Sequence, residues 1–307
     1  MAETAVPASP AKNEDSLRGF GFALAAYLLW GFLPIYMKAL SNISPAEVIA
    51  HRILWSLPIA GVVLLILGRT GDVKAALRSR RTLAMACLTA ALISLNWGIY
   101  VWAIISGHTL DAALGYYINP LFSVFLGAVI LKERLSLPQM VAIGLAVLAV
   151  AVLTWEAGRL PVVSLALMIT WGFYAYFRKT LPVGPNQGFF LEVLLLTPLA
   201  LIYVIYLRIS GTGHFAMGSA RDTWLLLGCG LVTAGPLMIY ANGAKLLRLS
   251  TIGIMQYIAP TLIFLTAVFV FGEPFGRARM IAFPLIWLAL ILYTGSMLQQ
   301  ARAARTA

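Results

Sequence analysis

Apolar stretches of about 20 residues recur along the chain, separated by short polar breaks. At about 1.5 Å rise per residue, such a stretch crosses the ~30 Å hydrocarbon layer of a bilayer as a helix. The pattern predicts ten helices, over residues 20–38, 45–68, 83–106, 110–131, 136–155, 161–178, 186–207, 224–247, 251–271 and 277–298. No run alternates with period two across many segments, which argues against a β-barrel. The expected fold is therefore an all-α polytopic membrane protein whose partner is the lipid bilayer.

The same pattern repeats. "LLWGFLPIYMKAL" from Leu28 aligns with "ITWGFYAYFRKTL" from Ile169, an offset of 141 residues. "YINP" at Tyr117 aligns with "YIAP" at Tyr257, and Glu133 with Glu273, both at 140. Each half then holds five helices. Five is odd, so the second half crosses the membrane upside down, a recurring plan of secondary transporters. The expected organisation is a disordered cytoplasmic tail at 1–18, a first five-helix repeat at 19–157, a second, inverted one at 158–298, and a cytoplasmic tail at 299–307.

Composition agrees with this reading: 61% of the residues are hydrophobic and 11% charged, with mean hydropathy +0.89. Soluble domains carry about a quarter charged residues. The net charge of +11 could suggest nucleic acid, but the basic residues follow alternate loops. Fifteen of the 22 Lys and Arg fall in the loops on the side of both termini, six on the other side, and Arg52 lies inside a span. That bias places both termini in the cytoplasm and leaves no case for nucleic acid. Cys87 and Cys229 both fall within apolar segments and His51, His108 and His214 are scattered, so neither metal nor cofactor is expected.

"AAYLLWGFLPIYMK", "AHRILW", "NWGIYVWAI", "LGYYINPL" and "LRLSTIGIMQYIAPTLIFL", together with Glu133 and Glu273, resemble the RarD-like branch of the EamA family, within the drug/metabolite transporter superfamily. The resemblance covers residues 19 to 298. It implies a carrier of the bacterial inner membrane with ten helices and both termini inside.

Candidate chemistry falls in three groups. Pro120 and Pro260 occupy matching places in the fourth and ninth spans, where proline frees the carbonyl four residues earlier. Those carbonyls belong to Tyr116 and Gln256. Two such helix breaks at symmetric positions suggest a cavity lining, with packing kinks as the competing reading. A largely aromatic, uncharged substrate site would combine Trp30, Asn96, Trp97, Tyr100, Tyr116, Trp171, Tyr240, Gln256 and Tyr257. Trp30 and Trp171 sit near mid-span, too deep for an interfacial belt, so they pack the core or line the cavity. Asn242 lies close to this set in sequence.

The third group is charged: His51, Arg52, Asp111 and Glu192, read as gating or structural charges. His51 and Glu192 align in the repeat, but their depths from opposite faces argue against a direct pair. Glu47 and Asp111 are the expected partners of His51 and Arg52, making an outer clamp separate from the central site. Glu192 is the candidate for proton coupling, or else pairs with a nearby Lys or Arg. Glu133 and Glu273 read as solvated helix-end contacts. The expected function is a secondary transporter, an exporter of small organic solutes that are amino-acid-like or amphiphilic. The alternatives are a membrane enzyme, for which no catalytic constellation is evident, and a non-transporting receptor.

Overall fold

Serine hydroxyls and prolines start the helices. Ser44 Oγ accepts the amide N–H of Glu47 at 3.2 Å, Pro45 occupies the first turn, and Ser79 Oγ accepts from Thr82 N–H at 3.3 Å. Each cap satisfies one of the N–H groups that a helix start leaves without a partner. The computed structural model describes residues 16–130, 132, 135–244, 246–247 and 249–306. Residues 1–15 of the expected tail, and Glu133, lie outside the described residues.

The described helices are α1 (Leu17–Ala39), α2 (Pro45–Ile66), α3 (Thr70–Arg78), α4 (Arg80–Ile105), α5 (Thr109–Ile130) and α6 (Leu137–Ala157). They continue with α7 (Val162–Thr180), α8 (Pro185–Ser210), α9 (Ala220–Ala244), α10 (Leu249–Met255), α11 (Ile258–Leu265) and α12 (Arg277–Thr306). A π-helical turn, Thr266–Val270, extends α11. Eight of these, α1, α2, α4, α5, α6, α8, α9 and α12, are long and apolar enough to cross a membrane. Their outer faces carry exposed Leu65, Val147, Leu199, Ile202, Ile209 and Ile291, apolar surface that a bilayer covers and water would not.

Three elements depart from the sequence expectation. The loop after α2 contains α3, which buries Val73 and Ala76 and leaves its charged residues outward; at nine residues it is too short for a span-length search. The expected ninth span is broken into α10, α11 and the π-turn. The expected tail at 299–307 continues α12 to Thr306, because "QQARAAR" is made of good helix formers.

Seven helix pairs organise the bundle. α1 lies on α9, α4 on α7, α2 on α8 and α9, α5 on α7 and α11, and α6 on α12. α5, α6 and α12 share a core that includes Leu114, Tyr117, Ala146, Phe283 and Ile286. The end of the bundle holding the α1–α2 loop, here the loop end, also holds the starts of α5 and α9. There Asn42 donates to Asp222 at 3.0 Å and Arg221 to the carbonyl of Ala39 at 3.0 Å. The opposite end, with both termini, is the terminal end.

α2 and α9 approach closely because Gly230 lacks a side chain. A Cβ there would fall on the backbone carbonyl of Trp55, so the two helices would have to separate. Gly98 on α4 faces open space. We expect Gly230→Ala to destabilise the fold by about 1–3 kcal/mol, the range for overpacking, and Gly98→Ala to leave it unchanged. Thermal unfolding in detergent, read by loss of helical circular dichroism, checks both.

Candidate functional site

Arg52 projects from α2 into the bundle and is 3% exposed. Its Nε donates to Thr233 Oγ1 on α9 at 2.9 Å, and its guanidinium lies over the Trp97 ring of α4, 4.8 Å from the centroid. Thr233 in turn donates to the carbonyl of Cys229 at 2.7 Å, one turn earlier on α9. A charged arginine at membrane depth costs about 3 kcal/mol even on a permissive scale. A desolvated cation–π contact returns about 2 kcal/mol, and a hydrogen bond from a charged donor about 1.5–3. Trp97 and Thr233 together therefore make the position tenable.

The neighbours of this charge are aromatic. Tyr100 and Tyr116 pack with centroids 5.8 Å apart, Tyr116 meets Trp171 edge-on at 6.1 Å, and Trp171 meets Tyr174 at 5.7 Å. Asn96, fully buried, ties three helices together. It donates to the Leu167 carbonyl at 3.1 Å and to Thr170 Oγ1 at 2.9 Å, and accepts from the Tyr116 hydroxyl at 3.1 Å. Through these contacts α2, α4, α5, α7 and α9 converge on one polar and aromatic centre.

The expected nine-residue wall is divided. Asn96, Trp97, Tyr100, Tyr116 and Trp171 stand together. Trp30 and Tyr240 form a second cluster with Tyr27, at ring separations of 5.5 to 5.7 Å, packed against Met255 and Ile258. Tyr257 packs instead on the core shared by α5, α6 and α12. Gln256 is half-buried at the break between α10 and α11. The side chain of Asn242 lies outside the described residues.

Two further expectations need correction. Pro120 does not break its helix: α5 runs unbroken from Thr109 to Ile130. The chain breaks only in the other segment, at Gln256–Tyr257, which leaves Pro260 in the first turn of α11, where its missing N–H does no harm. Arg52 is also not part of a clamp with Glu47 or Asp111. Glu47 accepts from the backbone N–H of His214 at 2.7 Å and lies 2.9 Å from its Nδ1. Asp111 pairs with Arg279 of α12 at 3.0 Å. His51 Nδ1 accepts from Trp55 Nε1 at 3.1 Å, and its ring packs on Phe215 at 4.8 Å. Arg52 thus belongs to the aromatic centre, which carries a charge after all.

Glu192 on α8 is buried and engaged: Arg178 Nε lies 3.3 Å from Oε1, and the Tyr174 hydroxyl donates to Oε2 at 3.2 Å. His51 and Glu192 have separate partners, as their depths require. Glu273 is not solvated. It is buried, and its carboxylate accepts the N–H groups of Thr109 and Leu110 at 2.7 and 2.9 Å, capping α5 where the helix dipole favours an anion. Sequence reasoning missed Thr233, Thr170, Tyr174, His214 and the capping role of Glu273. A hydroxyl at mid-span is a weak signal, since threonine commonly bonds its own helix, as Thr233 also does.

Beside the centre, an apolar groove of about 680 Å³ opens laterally between α2, α4 and α8, lined by Ile49, Ile53, Ser94, Gly98, Leu196 and Tyr203 among others. Among the described residues no group of His, Cys, Asp and Glu could hold a metal.

Comparison with known proteins adds a family. The profile of the EamA-like transporter family matches residues 17–155. A protein named uncharacterized transporter from Vibrio cholerae is 40% identical over 295 residues, covering 96% of this chain and 98% of that one. Protein RarD of Escherichia coli is 37% identical over 280 residues, 91% of this chain and 95% of its own. The chloramphenicol-sensitive protein RarD of Pseudomonas aeruginosa is 34% identical over 280 residues, with 90% and 93% covered. A crystal structure of a protein 18% identical superposes with TM-score 0.56 over 90% of this chain and 96% of that chain, a likeness of fold alone.

The Glu273 cap gives a direct test. In Glu273→Gln the charge is lost and the amide NH₂ opposes one of the two N–H groups. We expect a destabilisation of about 2 kcal/mol, as for a buried hydrogen bond to a charged group. Exposed Glu156 provides the control, with Glu156→Gln expected within about 0.5 kcal/mol of wild type. Denaturant titration in micelles measures both.

Proposed function

Because this chain belongs to the EamA-like transporter family, in its RarD-like branch, we propose that it is a secondary transporter that exports small amphipathic or aromatic metabolites across the bacterial inner membrane by alternating access. The observation that carries this reading is the composition of the centre. Arg52, Asn96, Trp97, Tyr100 and Tyr116 come from the first 157 residues, and Thr170, Trp171 and Thr233 from the remainder. A site shared between two halves is what alternating access requires, since rocking one half against the other changes the side from which the site is reached.

Helix packing supports two inverted five-helix repeats, 19–157 and 158–298. Let α1, α2, α4, α5 and α6 correspond to α7, α8, α9, the α10–α11 segment and α12. The contact of α1 with α9 then matches that of α7 with α4, and α5 with α7 matches α11 with α1. The α2–α8, α5–α11 and α6–α12 contacts map onto themselves. A two-fold relation between the halves accounts for all of these, with ten spans if α7 and the broken α10–α11 segment each cross once. The bias of Lys and Arg favours a cytoplasmic terminal end and a periplasmic loop end. Proton coupling would act through Glu192, whose carboxylate Arg178 and Tyr174 now share.

At the loop end the two halves are fastened by Glu47–His214, Asp111–Arg279, Asn42–Asp222 and the Glu273 cap. The reading therefore assigns this arrangement to a state closed at the periplasmic side.

Two measurements test these statements. Purified protein in liposomes should accumulate at least one labelled aromatic or amphipathic metabolite by counterflow; protein that is folded but moves none of a broad panel overturns the transport reading. Cys229, fully buried on α9, reports the gate. In a Cys87→Ser background an impermeant maleimide should label it negligibly. Adding Glu47→Gln and Asp111→Asn should raise the labelling rate at least threefold, and an unchanged rate would show that these contacts are not a gate.

A further inference from the structure

The buried and half-buried acids of the bundle interior are, among the described residues, already committed. Glu47 faces His214, Asp111 faces Arg279, Glu192 faces Arg178, Asp222 accepts from Asn42, and Glu273 caps α5. None of the described residues offers Arg52 a carboxylate within ion-pair distance. Its charge is held by a hydroxyl and a ring, which make the position tenable but carry no negative charge. A buried arginine without a counter-ion is an expensive arrangement, and such residues mark ligand pathways.

The contacts that Arg52 does make leave one edge free. Thr233 occupies Nε and Trp97 covers one face, while the two terminal nitrogens have no hydrogen bond from any described residue; Nη1 is itself fully buried. That edge is the one that grips a carboxylate with two parallel N–H···O bonds. The Tyr100 hydroxyl is likewise buried without a partner, and Tyr100 follows Trp97, the ring under the guanidinium, by one turn on the same face of α4. The Tyr116 hydroxyl, whose ring packs on that of Tyr100, is occupied by Asn96. Two unpartnered donors of different kinds thus share one dry site.

We propose that Arg52 and Tyr100 form the anion-binding half of the transport site, and that its ligand is an organic monocarboxylate with an apolar or aromatic body. This rests on the transport reading above and narrows its substrate class. One uncompensated positive charge matches one negative charge on the ligand, so a dianion would leave a charge unpaired. The Tyr100, Tyr116 and Trp171 rings, which pack one on the next, supply the surface for the body. The Nη edge and the Tyr100 hydroxyl take the carboxylate oxygens.

The experiment uses the full chain in lipid nanodiscs and titration calorimetry. The probes are matched pairs of acid and amide: benzoate, phenylacetate, 3-phenylpropionate and indole-3-acetate, each against its own neutral amide. Sodium chloride is titrated alone as an inorganic anion. At least one acid should bind at least tenfold more tightly than its amide. Arg52→Gln should abolish that preference and Arg52→Lys should keep part of it. Tyr100→Phe deletes a hydroxyl that nothing in the fold uses, so that variant should fold as wild type and weaken acid binding about fivefold while leaving amides unaffected. It keeps the proposal testable if Arg52→Gln does not fold.

Equal affinity for acids and amides, no acid binding up to 10 mM, or acid binding indifferent to both Tyr100→Phe and Arg52→Gln overturns the proposal. Chloride binding as tightly as the best acid overturns it too, by identifying an inorganic-anion site. Each of these results leaves the transport reading to the counterflow assay, where a neutral solute that moves would show a carrier whose cargo is not an acid.

Discussion

Everything in the centre of this protein is arranged around a positive charge that the membrane would otherwise expel. Arg52 sits on a largely apolar helix, next to His51, and it stays there because Trp97 and Thr233 come to it from two other helices. The consequence spreads outward. Trp97 must hold its ring under the guanidinium, which fixes the rotation of α4. Thr233 must present its hydroxyl, which fixes that of α9. With α4 so turned, Asn96 faces α7 and receives Tyr116 from α5, so one buried charge sets the orientation of four further helices.

The helices themselves were legible from the pattern of apolar residues, because crossing hydrocarbon imposes a length that sequence displays directly. Most boundaries fall within a few residues of the expected ones. The exceptions have local causes. α3 is a short amphipathic helix with no span-length signature. Pro120 is tolerated within α5, whereas the equivalent stretch before Pro260 opens at Gln256–Tyr257. Proline alone therefore does not decide whether a membrane helix breaks; the packing around it does.

The site was legible only in part. Aromatic and polar residues near mid-span point to helices that converge at the centre and to Asn96, Trp97, Tyr100, Tyr116 and Trp171, which the fold brings together. They could not say which rings meet, so Trp30, Tyr240 and Tyr257 were grouped with a centre from which the fold separates them. The error at Arg52 was of another kind. Counting residues from the helix end gave its depth but not its direction, and a search for partners by charge led to Glu47 and Asp111. Their true partners, His214 and Arg279, lie more than 160 positions away in sequence, beyond any reasoning from spacing. Arg52 itself is met by an aromatic face and a hydroxyl, which a search for opposite charge does not consider.

Among the described residues, ion pairs that bridge the first 157 residues to the remainder occur only at the loop end. Towards the terminal end the bridging contacts are weaker, such as Gln187 with Asp72 and Ser136 with Ser296. Under the proposed two-fold repeat and alternating access, a bundle fastened identically at both ends would have two symmetry-related conformations of equal energy and would idle between them without preference. Unequal fastening removes that degeneracy. In the proposed cycle one conformation is then the ground state, and each turnover must climb away from it. A solute held most tightly in the ground state deepens that well and slows the cycle, so the best-bound compound need not be the fastest-moving one.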